Sequence, residues 1–463
     1  MIIVTVNMPD DQQLPPSLTS SQDVIVSNEF RMGSRVDVSA VIRFVRRMNS
    51  DQEHKSNHGE EPLTVGNQTH HPIHLRFGYR TQFESGVIET ILEHIILPKK
   101  DQVHLLDLMW NPFQHDFVRL LKAATHQSPL SDLRIHLQSA YDAQQLFSSI
   151  SADNKIQCLG LCLKCPPALD ANHDIKSFPN SVGQGIQQIF PHLKELRLHL
   201  FDFTDEALEL LIRQIKNTIN TKQIQQLWFV TEGILSPQSL PQITQLLETT
   251  AQRQTAIFHL GMTFSNNLFR EQQHSAEFVN SIQIRPPSRL ILSHVGLHPH
   301  TVSSLLAVYA KAKVKAKSSW LHLRGRGFLQ GSTFATMLRY IPHLKIDSLV
   351  VEDSTLVWTT ERENLFMSVI SKNIWLRFGG THYRNIPERV KTCVLQVEKR
   401  NHVMARIQAF LEQECALSVW PRLIRAAAVD TSSADTGSTA SSVFLILQQT
   451  MPTILKSSVS RSQ

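Results

Sequence analysis

The chain has 463 residues, 41% of them hydrophobic and 19% charged, with 46 Lys and Arg against 40 Asp and Glu, a formal net charge of +6. That apolar content supports an extensive core and argues against wholesale disorder, and so small a positive balance argues against a dedicated nucleic-acid binder. Five cysteines, an odd number in a long chain, argue against a disulfide framework and for a reducing compartment.

The first residues, MIIVTVNMPDD, hold an apolar run too short for a signal peptide, and no run approaches the roughly twenty apolar residues of a membrane span. A cytoplasmic protein with no membrane role is expected, the nucleus being the alternative. Residues 7–28, rich in Pro, Ser, Gln and Asp, are expected to be mobile. Residues 36–48 read as a short amphipathic helix with Val36, Val41, Phe44, Val45 and Met48 on its apolar face. Residues 49–71 are polar and loop-like, so 1–72 forms an N-terminal segment and regular order begins at Ile73.

From there one unit recurs. In 191–221, Leu196, Leu198 and Leu200 alternate with Arg197 and His199, the period of a half-buried strand. Thr204 then precedes Asp205 and Glu206 as an N-cap with acids in the first turn. Ala207, Leu208, Leu211, Ile212 and Ile215 follow at helical spacing. Strand anchors recur at Leu75, Leu106, Ile135, Leu159, Leu196, Leu227, Phe258, Leu290, Leu321, Leu349 and Ile374, separated by 31, 29, 24, 37, 31, 31, 32, 31, 28 and 25 residues. Helical patterns fall between them at 87–96, 117–124, 143–150, 205–216, 240–249, 301–312 and 331–340. No unit of this size buries its own core, so the units must stack. A doubly wound sheet would demand strands apolar on both faces, whereas LRIHL and LHLRGR alternate with charge.

The recurrence resembles the ribonuclease-inhibitor-like class of leucine-rich repeat proteins. Their motif L-x-x-L-x-L-x-x-N-x-L is met by Leu193, Leu196 and Leu198, with Phe203 in the last apolar slot. The asparagine slot is held instead by Phe201, and elsewhere by Glu232, Thr263, Val295, Arg326 and Ser354; Asn111 alone fits. The tail (KRN, VWPRLI, SVFLILQ) is similar to the helical end-piece of leucine-rich repeat families from photosynthetic protists. The resemblance implies an α/β leucine-rich repeat solenoid. That is a horseshoe with a parallel sheet on the concave face and helices on the convex face, about 11 degenerate repeats over residues 73–396. A helical C-terminal cap, 397–463, would follow, interrupted by the low-complexity insert 430–442.

Short motifs do not add chemistry. Cys158, Cys162 and Cys165 lack a fourth metal ligand at suitable spacing and read as small residues in a packed strand. His70, His71 and His74 read as surface histidines, and Arg324-Gly325-Arg326-Gly327 reads as a turn after a strand. Lys311, Lys313, Lys315 and Lys317 suit a helix C-terminus. Neither catalytic residues nor a cofactor or metal is expected.

Strand geometry points elsewhere. If the anchors face the core, their neighbours line the concave face. That column includes Arg76, Arg134, Arg197, His199, Trp228, Arg289, Arg324, Trp375 and Arg377, with Asp107, His136, His259 and His322 among them. Arg and Trp are enriched at interface hot spots. A non-catalytic scaffold binding an acidic protein partner on this face is the expected function. The alternatives are a substrate-recognition adaptor of a ubiquitin ligase, which would need an N-terminal three-helix box, and nucleic-acid binding through the basic face.

Overall fold

The computed structural model describes residues 2–3, 35–36, 39, 41–42, 45–46, 73–77, 82–83, 86–98, 102–127, 129–165, 176–253, 255, 257–265, 267–311, 319–373, 376 and 386–412. They fall into two compact units, Met1–Pro287 and Ser288–Gln463. The expected mobile stretch 7–28, the loop 49–71, the lysines beyond Lys311, the anchor Ile374, Trp375, Arg377 and the insert 430–442 lie outside the described residues.

The strands of the first unit are β1 (Ile2–Ile3), β2 (Arg35–Val36), β3 (Ile73–Arg76), β4 (Gln82–Phe83), β5 (Val103–Pro112), β6 (Asp132–Leu137), β7 (Cys158–Lys164), β8 (Glu195–Phe201), β9 (Gln226–Glu232) and β10 (Ile257–Thr263). β2 pairs with β4. The others lie parallel and side by side in the order β1-β3-β5-β6-β7-β8-β9-β10. Parallel neighbours need a crossover between them. From β5 onward each crossover is a helix: α2 (His115–Gln127), α3 (Ala140–Ser149), α4 (Ser177–Ile189), α5 (Asp205–Thr221), α6 (Leu240–Gln252), with α7 (Gln272–Ile284) following β10. α1 (Val87–Ile91), continued by the π-turn Leu92–Ile96, precedes β5.

The second unit repeats the plan. β11 (Arg289–Ser293), β12 (Trp320–Gly325) and β13 (Ser348–Asp353) pair in parallel. They are connected and followed by α8 (Pro299–Lys311), α9 (Ser332–Tyr340), α10 (Thr360–Ile370) and α11 (Glu388–Glu412). The chain is therefore α/β, built of repeated strand–helix units.

One face of each sheet is the core. In β8 and β9 every second residue is buried, with Leu196, Leu198, Leu200, Leu227 and Phe229 at 0–1% exposure. α5 lays Ala207, Leu208, Leu211, Ile212 and Ile215 into the same layer, and the Thr204 hydroxyl accepts the Ala207 N–H at 3.2 Å to cap it. The alternate positions, Arg197 and His199 among them, stay part-exposed on the open face.

Two backbone devices recur from unit to unit. At strand entry a single carbonyl accepts two successive N–H groups: Ser131 from Gln157 and Cys158, Gln157 from Lys194 and Glu195, Lys194 from Gln225 and Gln226, Ser319 from Asp347 and Ser348. At strand exit the chain turns through the left-handed region at Asp202 (φ 57°), Gly233 (φ 137°), Phe264 (φ 62°) and His294 (φ 55°).

The turns after the strands are joined by varied side chains rather than by a repeated asparagine. Asn111 does reach back, its amide donating to Phe77 O at 3.3 Å. Asp205 accepts from the Ser236 N–H and the Ser239 hydroxyl. The Ser265 hydroxyl donates to Gly233 O and accepts the Leu235 N–H. Asp353 accepts from the N–H groups of Gly327, Leu329 and Thr355 at 2.7–2.9 Å, and from the Thr355 hydroxyl. The missing asparagines thus do not leave these turns untied.

Three expectations are corrected. Val36 lies in β2, not in a helix, but Ser39, Val41, Ile42, Val45 and Arg46 are helical as expected and Val41 is fully buried. Helices α4, α7 and α10 were not anticipated. α11 begins at Glu388, so a boundary at 396/397 would cut it. No helix among the described residues is long and apolar enough to cross a membrane.

Candidate partner-binding face

The open face is laid out in rows by strand register. One row runs Asp132, Cys158, Glu195, Gln226, Ile257; the next Asp107, Arg134, Gly160, Arg197, Trp228, His259; the third His136, Cys162, His199, Val230, Gly261. β6 and β8 therefore carry the same sequence on this face, acid then Arg then His, as Asp132-Arg134-His136 and Glu195-Arg197-His199.

β7 lies between them and offers only Cys158, Gly160 and Cys162 to the face. The Arg134 stem fills the space: a Cβ added to Gly160 would stand 2.9 Å from Arg134 Cγ. The small residues of β7 are spacers that let two bulky strands spread their side chains. Burial pushes the Cys162 thiol up to about 12 and Cys158 upward as well, so neither supplies a thiolate at neutral pH. Among the described residues no group of three or more His, Cys, Asp or Glu is arranged to hold a metal ion.

Acids on the same face answer several of the arginines. Arg134 forks onto Asp132 through Nη2 at 2.8 Å and Nε at 3.1 Å, and its Nη1 reaches Asp107 at 3.3 Å. Arg197 Nε is paired with Glu195. In the second unit Arg324 Nε lies 3.4 Å from Glu352. Sequence reasoning missed Asp132, Glu195, Glu232 and Glu352 because it selected the face by residue type; the period-two alternation that found Arg134 and Arg197 places Asp132 and Glu195 two positions before them, and the same alternation along β9 and β13 reaches Glu232 and Glu352.

The second structural feature is stacking. Trp228 and His259 stack with ring centroids 3.7 Å apart and planes at 26°, while the Arg197 guanidinium lies 5.3 Å from the Trp228 ring centre. Arg197, Trp228 and His259 are register partners, so the stack crosses β8, β9 and β10 at one level. The second unit has a counterpart. Arg289 lies 3.8 Å over Trp320, its register partner, and Trp320 stacks on His322 at 5.4 Å. His322 Nε2 reaches Ser348 Oγ at 2.9 Å. Trp320 was missed, although it sits two residues before His322 on the same alternation.

His136 and His199 add shape rather than charge to the face. Burial depresses His199 to about 4 and lowers His136, so both are neutral at pH 7. His199 lies 3.8 Å from Glu232, which burial and Asp202 push upward. Burial and the Arg76 charge lower His74, two positions before Arg76 on β3. The structure thus brings Arg134, Arg197, His199 and Trp228 onto one surface with Arg76 on the same sheet, and places Arg289 and Arg324 on the sheet of the second unit.

No family model matches the chain, and no curated protein matches it.

Proposed function

We propose that the chain is a leucine-rich repeat horseshoe of the ribonuclease-inhibitor-like kind, a non-catalytic scaffold that docks a protein partner on the open, concave face of its sheet. The observation that carries this reading is the cross-strand stack of Arg197, Trp228 and His259. A tryptophan held between a guanidinium and an imidazole has little rotamer freedom left to lose, so it favours binding by preorganisation. A guanidinium has five N–H donors, and Glu195 engages the Nε of Arg197. The terminal nitrogens suit a carboxylate of the partner, which keeps an acidic partner as the expected one. The acids beside Arg134, Arg197 and Arg324 limit the role of net charge, so affinity rests on stacking and hydrogen bonding with a modest salt dependence. The test is affinity capture by the full chain and by the Arg197→Ala/Trp228→Ala variant, at low and high salt. Loss of the captured partner in the variant supports the reading, and retention contradicts it.

A further inference from the structure

The arginine-bearing rows end at the turns that follow β8, β9 and β10, and there the surface changes character. Ile234 is 90% exposed and Phe264 is 53% exposed. Both positions are fixed by the backbone. The Gly233 N–H donates to Thr263 O at 3.1 Å and the Leu235 N–H to Ser265 Oγ at 3.1 Å, so Ile234 is arched outward between two anchored neighbours. Phe264 occupies the left-handed region with φ 62°, a conformation that phenylalanine adopts only at a cost. The two exposed apolar side chains sit on adjoining turns, set by their backbone, and offer an apolar surface for contact.

The charge beside this pair is negative. The Asp202 N–H donates to Glu232 O at 3.0 Å, and Asp202 Oδ1 lies 3.6 Å from where a Cβ of Gly233 would stand. Asp202 is exposed, and the Glu232 side chain is 38% exposed. Asp132, Glu195 and Glu352 each have an arginine. Among the described residues no lysine or arginine pairs with Asp202 or Glu232; the side chain that Glu232 meets at ion-pair distance is His199, which burial keeps neutral at pH 7. Lys164 stands beside Phe201, one strand further from Glu232 in the register. The two acids are therefore left uncompensated, side by side and next to the apolar pair.

We propose that this rim, formed by Asp202, Glu232, Ile234 and Phe264, is a second docking surface. Its occupant is a protein segment that carries a basic side chain close to a large aliphatic or aromatic one. The cation meets Asp202 and Glu232, and the apolar side chain covers Ile234 and Phe264. This goes beyond the reading of the sheet face and does not depend on it, since it uses neither the arginines nor Trp228.

The test uses the full chain and labelled synthetic peptides followed by fluorescence anisotropy. One peptide carries a lysine pair just before a Leu-Phe pair; one control replaces the lysines by glutamate, and the other replaces Leu-Phe by serine. The lysine/Leu-Phe peptide binds and both controls bind at least about tenfold more weakly. Ile234→Ser with Phe264→Gly lowers affinity by about tenfold. Asp202→Asn with Glu232→Gln does the same and removes the salt dependence. Asparagine tolerates the left-handed backbone at position 202, and unchanged melting temperatures show that the variants fold. Arg197→Ala with Trp228→Ala leaves peptide binding intact, which separates this surface from the sheet face. Equal or tighter binding of the glutamate peptide, no binding of the lysine peptide, or folded rim variants that bind as the parent does would overturn the proposal. Loss of peptide binding in the Arg197/Trp228 variant alone would also overturn it, by moving the contact to the sheet face.

Discussion

Gly160 lies beneath the Arg134 side chain, and that contact shows how single residues set the face. Arg134 is held by Asp132 and Asp107, with its side chain 15% exposed. Arg134→Ala would leave Asp107, 9% exposed, without its cation. The expected loss is about 2–3 kcal/mol of stability, somewhat below the value for a fully buried pair, read from denaturant unfolding. Asp353 offers a pH test. Burial pushes its carboxyl up, but the Leu329, Thr355 and Gly327 N–H groups and the Thr355 hydroxyl outweigh this and hold it below the ordinary carboxylate range. A carboxylate with a depressed folded pKa stabilises the fold above its unfolded pKa, and that contribution disappears as pH falls through the folded pKa. Asp353→Asn is therefore expected to cost about 1–3 kcal/mol at neutral pH, with the deficit shrinking below the ordinary aspartate pKa of 3.8. Thermal unfolding followed between neutral and strongly acidic pH checks both parts. His199 works in the same direction at higher pH. Its folded pKa of about 4 lies below the ordinary 6.5, so its neutral form stabilises the fold above 6.5 and this is lost as pH falls towards 4. His199→Gln should flatten the stability curve across that window; an unchanged slope would contradict the assignment.

At the scale of elements, the strands were legible in the sequence and several helices were not. Each of the anchors from Leu75 to Leu349 lies in a strand, because period-two alternation with one buried face is a strong local signal. α4 was hidden by its own composition: SFPNSVGQGIQQI contains a proline and two glycines, which count against a helix when neighbours are ignored. The glycines are there for packing. A Cβ on Gly185 would stand 2.1 Å from the Phe147 ring of α3, and one on Gly183 would stand 2.3 Å from Gln214 of α5. Tertiary contact overrides propensity at these positions. Gly185→Val is thus expected to destabilise by about 1–3 kcal/mol through overpacking, even though it raises local bulk in a buried layer. Hydrogen exchange localised to α3 and α4 would show the loss. The joined turns escaped sequence reading for a different reason. Their hydrogen bonds come from Asn111, Asp205, Ser265 and Asp353, and no single residue type at one slot announces them.

At the scale of the whole molecule, repeated strand–helix units in parallel sheets give long rows of side chains at fixed spacing. Adjacent strands lie about 4.8 Å apart, so a residue type repeated at one register position becomes a ladder. That is how Arg197, Trp228 and His259, distant in sequence, become one stack. The candidate face was half legible: alternation found its arginines, Asp107 and Trp228, but not Asp132, Glu195 and Glu352, which also pair with the arginines, nor Trp320. The formal charge of +6 therefore overstates the local field on the sheet, and a partner recognised there must be read by stacking and hydrogen bonds more than by charge. The most direct measurement is quantitative affinity capture by the full chain against Arg197→Ala/Trp228→Ala, at low and high salt, with melting temperatures matched. Truncating a preorganised tryptophan anchor costs about 2 kcal/mol or more of binding energy, so the captured partner should fall by roughly 30-fold in the variant at both salt concentrations. A partner retained equally by both proteins would contradict the assignment of the sheet face as the binding surface.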